Sequence, residues 1–202
     1  MTSVLVSIVN WRTAEMALSA AEAALAALEG IDGAITIVDN ASADGSEAVL
    51  REGVLRHGWD RVRVIQSGCN GGYGAGNNVA IRAGLPGGGR PDFVYVLNPD
   101  AFPAPGAIRA LLDHMEQHPE TAIAGSFVHG PGGDADASAF RFFSMGSEFE
   151  DAAKTGPISR VLSRWIVPLP TPAETTRVDW VTGASLMLRQ SVLDRIGLFD
   201  EA

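Results

Sequence analysis

Residues 4–42 read VLVSIVNWRTAEMALSAAEAALAALEGIDGAITIVDNAS. The stretch opens with a β-branched run, Val4 to Val9, of buried-strand length. From Thr13 to Glu29 the apolar residues Ala17, Leu18, Ala21, Ala24, Leu25 and Leu28 recur at helical spacing, with Thr13 as N-cap and Gly30 as the stop. Ile35 to Val38 then returns to a short buried strand. Strand, helix and strand in immediate succession predict a parallel pair joined by a helical crossover.

The alternation continues outward from this unit. Ala43 to His57 predicts a helix and Val62 to Ile65 a strand; after a glycine-rich turn, Asn77 to Ala83 reads as the start or core of another helix. Phe93 to Leu97 is a fourth strand, Pro105 to His118 a helix opened by proline, and Thr121 to Ser126 a fifth strand. This repeat predicts an α/β fold with a mostly parallel central sheet flanked by helices. After Gly130 the character changes: GPGGDADAS has loop composition, and Glu148 to Thr176 reads as irregular, with a short helix around Ile158 to Trp165. Regularity returns at Val178 to Leu188 and in a short helix from Ser191 to Ile196.

The chain has 202 residues, enough for one domain with a substantial core. Its formal charge of −9 disfavours a nucleic-acid or anionic-membrane face. Lys154, the only lysine, follows Ala153, so the Gly-Lys-Ser/Thr of a P-loop is excluded. Cys69 stands alone, which excludes an intrachain disulfide and a cysteine metal knuckle. MTSVLVSIVNW lacks the basic start of a signal peptide, and no apolar window is long enough to span a bilayer. A cytoplasmic protein is expected, peripheral at most at the inner face of the membrane.

Open parallel sheets bind ligands beyond the carboxyl ends of their strands, so residues just after each strand matter most. The first strand ends in Asn10-Trp11-Arg12 and the second in Asp39-Asn40-Ala41-Ser42. The third leads into Asn70-Gly71-Gly72-Tyr73-Gly74-Ala75-Gly76-Asn77-Asn78, and the fourth ends in Asn98-Pro99-Asp100. Each cluster alone is turn or cap chemistry. Together, on one edge, they predict a binding cleft.

The glycine loop follows the third strand, and Asp39 precedes it, so the order of a dinucleotide-binding fingerprint is not met. A glycine-rich entry to a helix lets backbone N–H groups approach a diphosphate or ribose; a tight turn and nothing more is the alternative. Asp100, after a proline at a strand end, has the chemistry of a hard-cation ligand that would share Mg²⁺ or Mn²⁺ with diphosphate oxygens. Asp134-Ala135-Asp136 reads as a solvated loop, and His114 with His118 as the cationic end of a helix rather than a zinc site. No Ser-His-Asp arrangement or activated thiolate is visible.

With these motifs in place, the sequence resembles a family 2 glycosyltransferase of the GT-A fold, through SIVNWR, TIVDNASADGS, NGGYGAGNN, VLNPDA and VDWVTGASLMLRQSVLDRIGLFDE. NPD, with Asn98 where the commoner version has Asp, resembles the rhamnosyltransferase-like branch, which uses dTDP-rhamnose or related donors. The resemblance implies one GT-A domain over residues 1–202, with 1–125 as the nucleotide-sugar-binding half. Residues 126–202 would be a partial acceptor-binding half whose C-terminal part is missing.

By the same resemblance, Asn10 would line the nucleotide pocket, Asp39 would hydrogen-bond the pyrimidine base, and Asn40 and Ser42 would support that turn. Gly72, Tyr73 and Asn77 would pack on the nucleoside and sugar. Asn98 and Asp100 would flank ribose and diphosphate, with Asp100 on the divalent ion. Trp180, Thr182 and Gly183 would floor the sugar and acceptor site, although a tryptophan before a turn is as often core. The implied activity is inverting transfer of a sugar, rhamnose for this branch, from a dTDP- or UDP-sugar to a glycan or lipid-linked acceptor in cell-surface polysaccharide synthesis. The general base is expected beyond Ala202, which leaves a nucleotide-sugar-binding module without turnover as the alternative. A sugar nucleotidyltransferase would need a basic glycine loop after the first strand, and a receiver domain an acidic cluster there; Asn10-Trp11-Arg12 supplies neither.

Overall fold

A computed structural model describes residues 2–130, 132–153, 165–172 and 174–201. The elements in chain order are β1 (Ser3–Asn10), α1 (Ala14–Ala27), β2 (Asp32–Asp39), α2 (Ser46–His57), β3 (Val62–Gln66), α3 (Gly72–Ala83) and β4 (Phe93–Leu97). They continue with α4 (Ala107–Gln117), β5 (Ile123–Gly125), β6 (Ala139–Phe140), α5 (Met145–Ala153), β7 (Trp180–Val181), β8 (Ser185–Arg189) and α6 (Gln190–Ile196). Two compact units result: Met1–Ala124 with Gly183–Ala202, and Gly125–Thr182.

The sheet order is β3-β2-β1-β4-β8-β5. β1 pairs in parallel with β2 and β4, and β2 with β3. The expected mostly parallel α/β sheet is thus formed, with its topological switch between β1 and β4. The fifth sequence strand does not simply extend the parallel set. β8, read from sequence only as a late regular stretch, pairs antiparallel to β4, Phe93 opposite Arg189 and Leu97 opposite Ser185, and β5 lies beyond it.

The core is built where the strands are apolar on both faces. Val4, Leu5, Val6 and Ile8 of β1 and Ile35, Ile37 and Val38 of β2 are fully buried. Ala17, Ala20, Ala21 and Ala24 of α1 are also fully buried. Alanines along this face let the helix lie close on the sheet.

Two local expectations change. Thr13 takes the N-cap position of α1, but its hydroxyl does not cap; its N–H and its hydroxyl both donate to Asn10 Oδ1, each at 3.1 Å. The glycines at 72–76, read as a turn, form the first turns of α3. Their small size is what the packing needs: a Cβ on Gly76 would sit 2.7 Å from Val9 Cγ1.

The second unit contains the short antiparallel pair β6–β7. It also contains α5, in a region whose start reads as irregular. The helix expected around Ile158 to Trp165 falls on residues 158–164, outside the described residues.

Candidate functional site

The parallel register sets Asn10 beside Asp39, and Asp39 beside Gln66, so three polar residues end three adjacent strands in one row. Asn10 Nδ2 donates to Asp39 Oδ1 at 2.8 Å and to Ser42 Oγ at 3.3 Å. Gln66 Nε2 donates to Asp39 Oδ2 at 2.8 Å, and the Ser42 hydroxyl donates to Oδ1. The Ser42 N–H adds a longer bond of 3.4 Å to Oδ2. Burial opposes the charge on Asp39, but the donors of Ser42, Gln66 and Asn10 outweigh it and hold the carboxyl below its usual range. Asp39 is 1% exposed, and four donors occupy a carboxylate with about four lone-pair positions. Of the residues donating to it, only Gln66 is exposed.

The backbone after these strands is strained. Among the described residues, the non-glycine positions with positive φ are Arg12 at 60°, Ala41 at 54° and Ala43 at 54°, all in the loops after β1 and β2. Each costs of order 1 kcal/mol or more, and such residues cluster where function over-determines the chain. Ser42 ties the two loops together: its Oγ accepts from Arg12 N–H at 3.0 Å and its carbonyl from Arg12 Nε at 3.2 Å.

Asn40 reaches the glycine loop. Its Nδ2 donates to Asn70 Oδ1 at 3.0 Å and to the Gly72 carbonyl at 3.1 Å. Among the described residues its Oδ1 is buried without a hydrogen-bond partner. A buried, unpaired acceptor costs about 1–3 kcal/mol, so this one calls for an incoming donor. Asn77, fully buried, accepts from Ser7 Oγ at 2.7 Å and donates to the Tyr73 carbonyl at 3.0 Å, which fixes the first turn of α3 to β1.

Tyr73 is 41% exposed, yet its hydroxyl donates to the Gly183 carbonyl at 2.7 Å. A Cβ on Gly183 would meet the Tyr73 hydroxyl oxygen at 2.9 Å, so glycine is what permits this approach. Desolvation pushes the phenol up to about 12, so it stays a donor well into the alkaline range. Asn98, half-buried after β4, donates its N–H to the Ala184 carbonyl at 2.9 Å. Asp100 lies exposed in the same turn.

The nine donor-site residues named from sequence therefore all belong to the first unit, as does Gly183. Trp180 and Thr182 belong to the second. There Trp180 stacks on Phe140 at 4.0 Å and donates Nε1 to the Arg141 carbonyl at 2.9 Å, so its ring is held by the small β6–β7 sheet. Asp134 and Asp136 are exposed loop residues. Among the described residues no three His, Cys, Asp or Glu side chains are grouped to hold a metal by themselves. An exposed lone carboxylate such as Asp100 suits a hard cation only if a ligand's oxygens and water complete the shell.

The sequence names Asn78 only as the end of the glycine loop, without a role, and does not name Gln66, although signals for both exist. Gln66 is the polar end of a short strand, Val62-Arg63-Val64-Ile65-Gln66, beside Asn and Asp strand ends. Asn78 is half of an Asn pair within a helix, where asparagine is a poor former.

The family profile described as "Glycosyl transferase family 2" matches residues 3–194. The chain belongs to glycosyl transferase family 2. It is 31% identical over 176 residues to N-acetylglucosaminyl-diphospho-decaprenol L-rhamnosyltransferase of Mycobacterium tuberculosis, in strains CDC 1551 and H37Rv alike. The match covers 83% of this chain and 55% of that protein, so the chain spans about half the length of these curated relatives. Among solved structures it is similar to the mannosyltransferase PcManGT from Pyrobaculum calidifontis in complex with GDP-Man and Mn²⁺, with TM-score 0.62 and 16% identity over 98% of this chain and 47% of that one. It is also similar to S. aureus TarS 1–349 in complex with UDP, with TM-score 0.59 and 14% identity over 100% of this chain and 51% of that one. These likenesses place the family 2 chain in the GT-A fold.

Proposed function

We propose that this chain carries the donor site of an inverting glycosyltransferase. It would take a nucleotide-diphosphate sugar, dTDP- or UDP-linked and rhamnose by preference, to a glycan or lipid-linked acceptor in cell-surface polysaccharide synthesis. The observation that carries the proposal is the Asn10–Asp39–Gln66 row with its three left-handed neighbours, set at the carboxyl edge of a family 2 sheet.

Asn10 and Ser42 shape the nucleoside pocket. Asp39 is shielded as it stands and reaches a pyrimidine N–H once Gln66 yields Oδ2. The unpaired Asn40 Oδ1 offers an acceptor to a nucleoside hydroxyl. Gly72, Tyr73 and Asn77 form the wall for nucleoside and sugar, with the amino end of α3 close by to favour negative charge. Asn98 and Asp100 flank ribose and diphosphate. Gly183, in the same unit, belongs to the acceptor side.

Asp100 is the residue proposed to hold Mg²⁺ or Mn²⁺, which when bound neutralises charge on a departing diphosphate. The remaining task is positioning: the acceptor hydroxyl must lie in line with the anomeric carbon while a general base takes its proton. No residue of the donor row is assigned that role. The decaprenol in the curated relative's name favours a lipid-linked acceptor and, with it, peripheral association with a membrane. No described helix is long and apolar enough to cross a membrane.

Calorimetry of UDP and dTDP with and without Mn²⁺, on the wild type and Asp100→Ala, tests this. Metal-dependent binding that weakens at least tenfold in Asp100→Ala is expected, about 1.4 kcal/mol. Absence of nucleotide binding under every condition would reject the donor-site assignment. Binding that ignores both metal and Asp100 would remove the metal role alone.

A further inference from the structure

The two asparagines of the glycine loop's NN pair face different partners. Asn77 is bonded to the sheet through Ser7, whereas Asn78, also fully buried, turns to the segment after α6. Asn78 Nδ2 donates to the Phe199 carbonyl at 2.8 Å and to Glu201 Oε1 at 2.7 Å, and its Oδ1 accepts the Phe199 N–H at 3.0 Å. Both polar atoms of that amide are thus spent, through three hydrogen bonds, on two residues 121 and 123 positions away in sequence. One turn further along α3, Arg82 pairs with the same Glu201 oxygen at 2.8 Å. One turn earlier, Gly74 leaves room for the strap: a Cβ there would lie 3.0 Å from the Asp200 carbonyl oxygen and 3.1 Å from Phe199 Cβ.

The clamped strap has a consequence for Tyr73. The Phe199 ring meets the Tyr73 ring edge-on, centroids 5.9 Å apart at 77°. Tyr73 is therefore held from two sides, by this ring and by the Gly183 carbonyl that accepts its hydroxyl. Freed from Phe199, a tyrosine that is 41% exposed regains rotamers, and ordering it again weakens ligand binding.

We infer that Asn78 is a positioning residue of the donor site, acting through the Phe199–Glu201 strap to fix Tyr73. The inference rests on the donor-site proposal above, in which Tyr73 packs on the nucleoside. It assigns the NN pair a division of labour: Asn77 anchors the loop to the sheet, and Asn78 anchors the strap to the loop.

The test is a cycle of Asn78→Asp, Glu201→Gln and the double variant, titrated calorimetrically with UDP, dTDP and GDP in the presence of Mn²⁺. Asn78→Asp keeps size and the acceptor for Phe199 N–H, removes both donors and sets a like charge against Glu201. Affinity for the nucleotide that the wild type binds best should fall about tenfold, the equivalent of one hydrogen bond to a charged group. Glu201→Gln in that background restores a donor facing position 78 and should recover most of the loss. Phe199→Ala, which leaves Asn78 and the helix intact, should weaken binding similarly and stands in if Asn78→Asp does not fold.

Unchanged affinity in folded Asn78→Asp or in Phe199→Ala would overturn the inference while leaving the donor site standing. A loss in Asn78→Asp that Glu201→Gln does not relieve would overturn it too, since a general structural defect would then explain the loss. Failure of the wild type to bind any of the three nucleotides would overturn both readings.

Discussion

Asp39 shows how one side chain is assigned different duties by its neighbours. Its place at the end of a buried strand is plain in the sequence, and so is its company of Asn10, Asn40 and Ser42. The sequence did not reveal Gln66, which lies 27 positions away and reaches the same carboxylate only because β3 runs in register with β2. Asp39→Asn would set an N–H₂ against donors from Asn10, Ser42 and Gln66, and should cost about 1–3 kcal/mol in urea unfolding at pH 7. The sign of its pH dependence follows from a carboxyl depressed in the folded state. Its stabilisation is fully present above the unfolded value near 3.9 and is lost as pH falls through the lower folded value. The stability gap between wild type and Asp39→Asn should therefore narrow as pH is lowered below about 4. A gap that stayed constant down to pH 2 would show that folding does not lower the Asp39 carboxyl.

At the scale of elements, α3 departs most from its sequence pattern. Glycine disfavours helix by about 1 kcal/mol per residue, so a glycine-rich run reads as turn. Tertiary packing overrides that preference, because only a residue without Cβ lets α3 lie on Val9 at one side and on Phe199–Asp200 at another. Two glycines separate propensity from packing. A Cβ on Gly76 would strike Val9 Cγ1 at 2.7 Å, a β-branched side chain locked in a strand, and Gly76→Ala should destabilise by about 1–3 kcal/mol. A Cβ on Gly53 of α2 meets the terminal methyls of Leu18, the nearest at 2.6 Å, which can rotate away. There the gain of about 1 kcal/mol in helix propensity offsets the crowding, and Gly53→Ala should be near neutral. Chemical unfolding of both variants checks the contrast, and equal effects would refute it.

Across the whole first unit, the sheet is completed out of sequence order. β8 leaves the chain's last stretch and fills the interior slot between β4 and β5, with Met187 fully buried and the Tyr95 hydroxyl 2.6 Å from Ser185 Oγ. Without it β4 would be an open edge and Tyr95 would lose its hydrogen bond with Ser185. Met187→Ala should cost about 2–5 kcal/mol, whereas Leu55→Ala, at a side chain 81% exposed, should stay within about 0.5 kcal/mol. Similar midpoints for the two variants in urea would show that β8 is not part of the folded core.

The sequence by itself determined what local chemistry can write: the alternation of buried strands and small-residue helices, the α/β class, and the polar residues at four strand ends. Periodicity, composition and turn residues carry that information within a few positions. Only the tertiary structure decided the antiparallel insertion of β8, the Asn10–Asp39–Gln66 row, the helical state of the glycines and the hold of Asn78 on Phe199. Each of those depends on atoms far apart in the chain meeting at hydrogen-bond or van der Waals distance, and no local pattern encodes which distant partner a buried amide or a missing Cβ is waiting for.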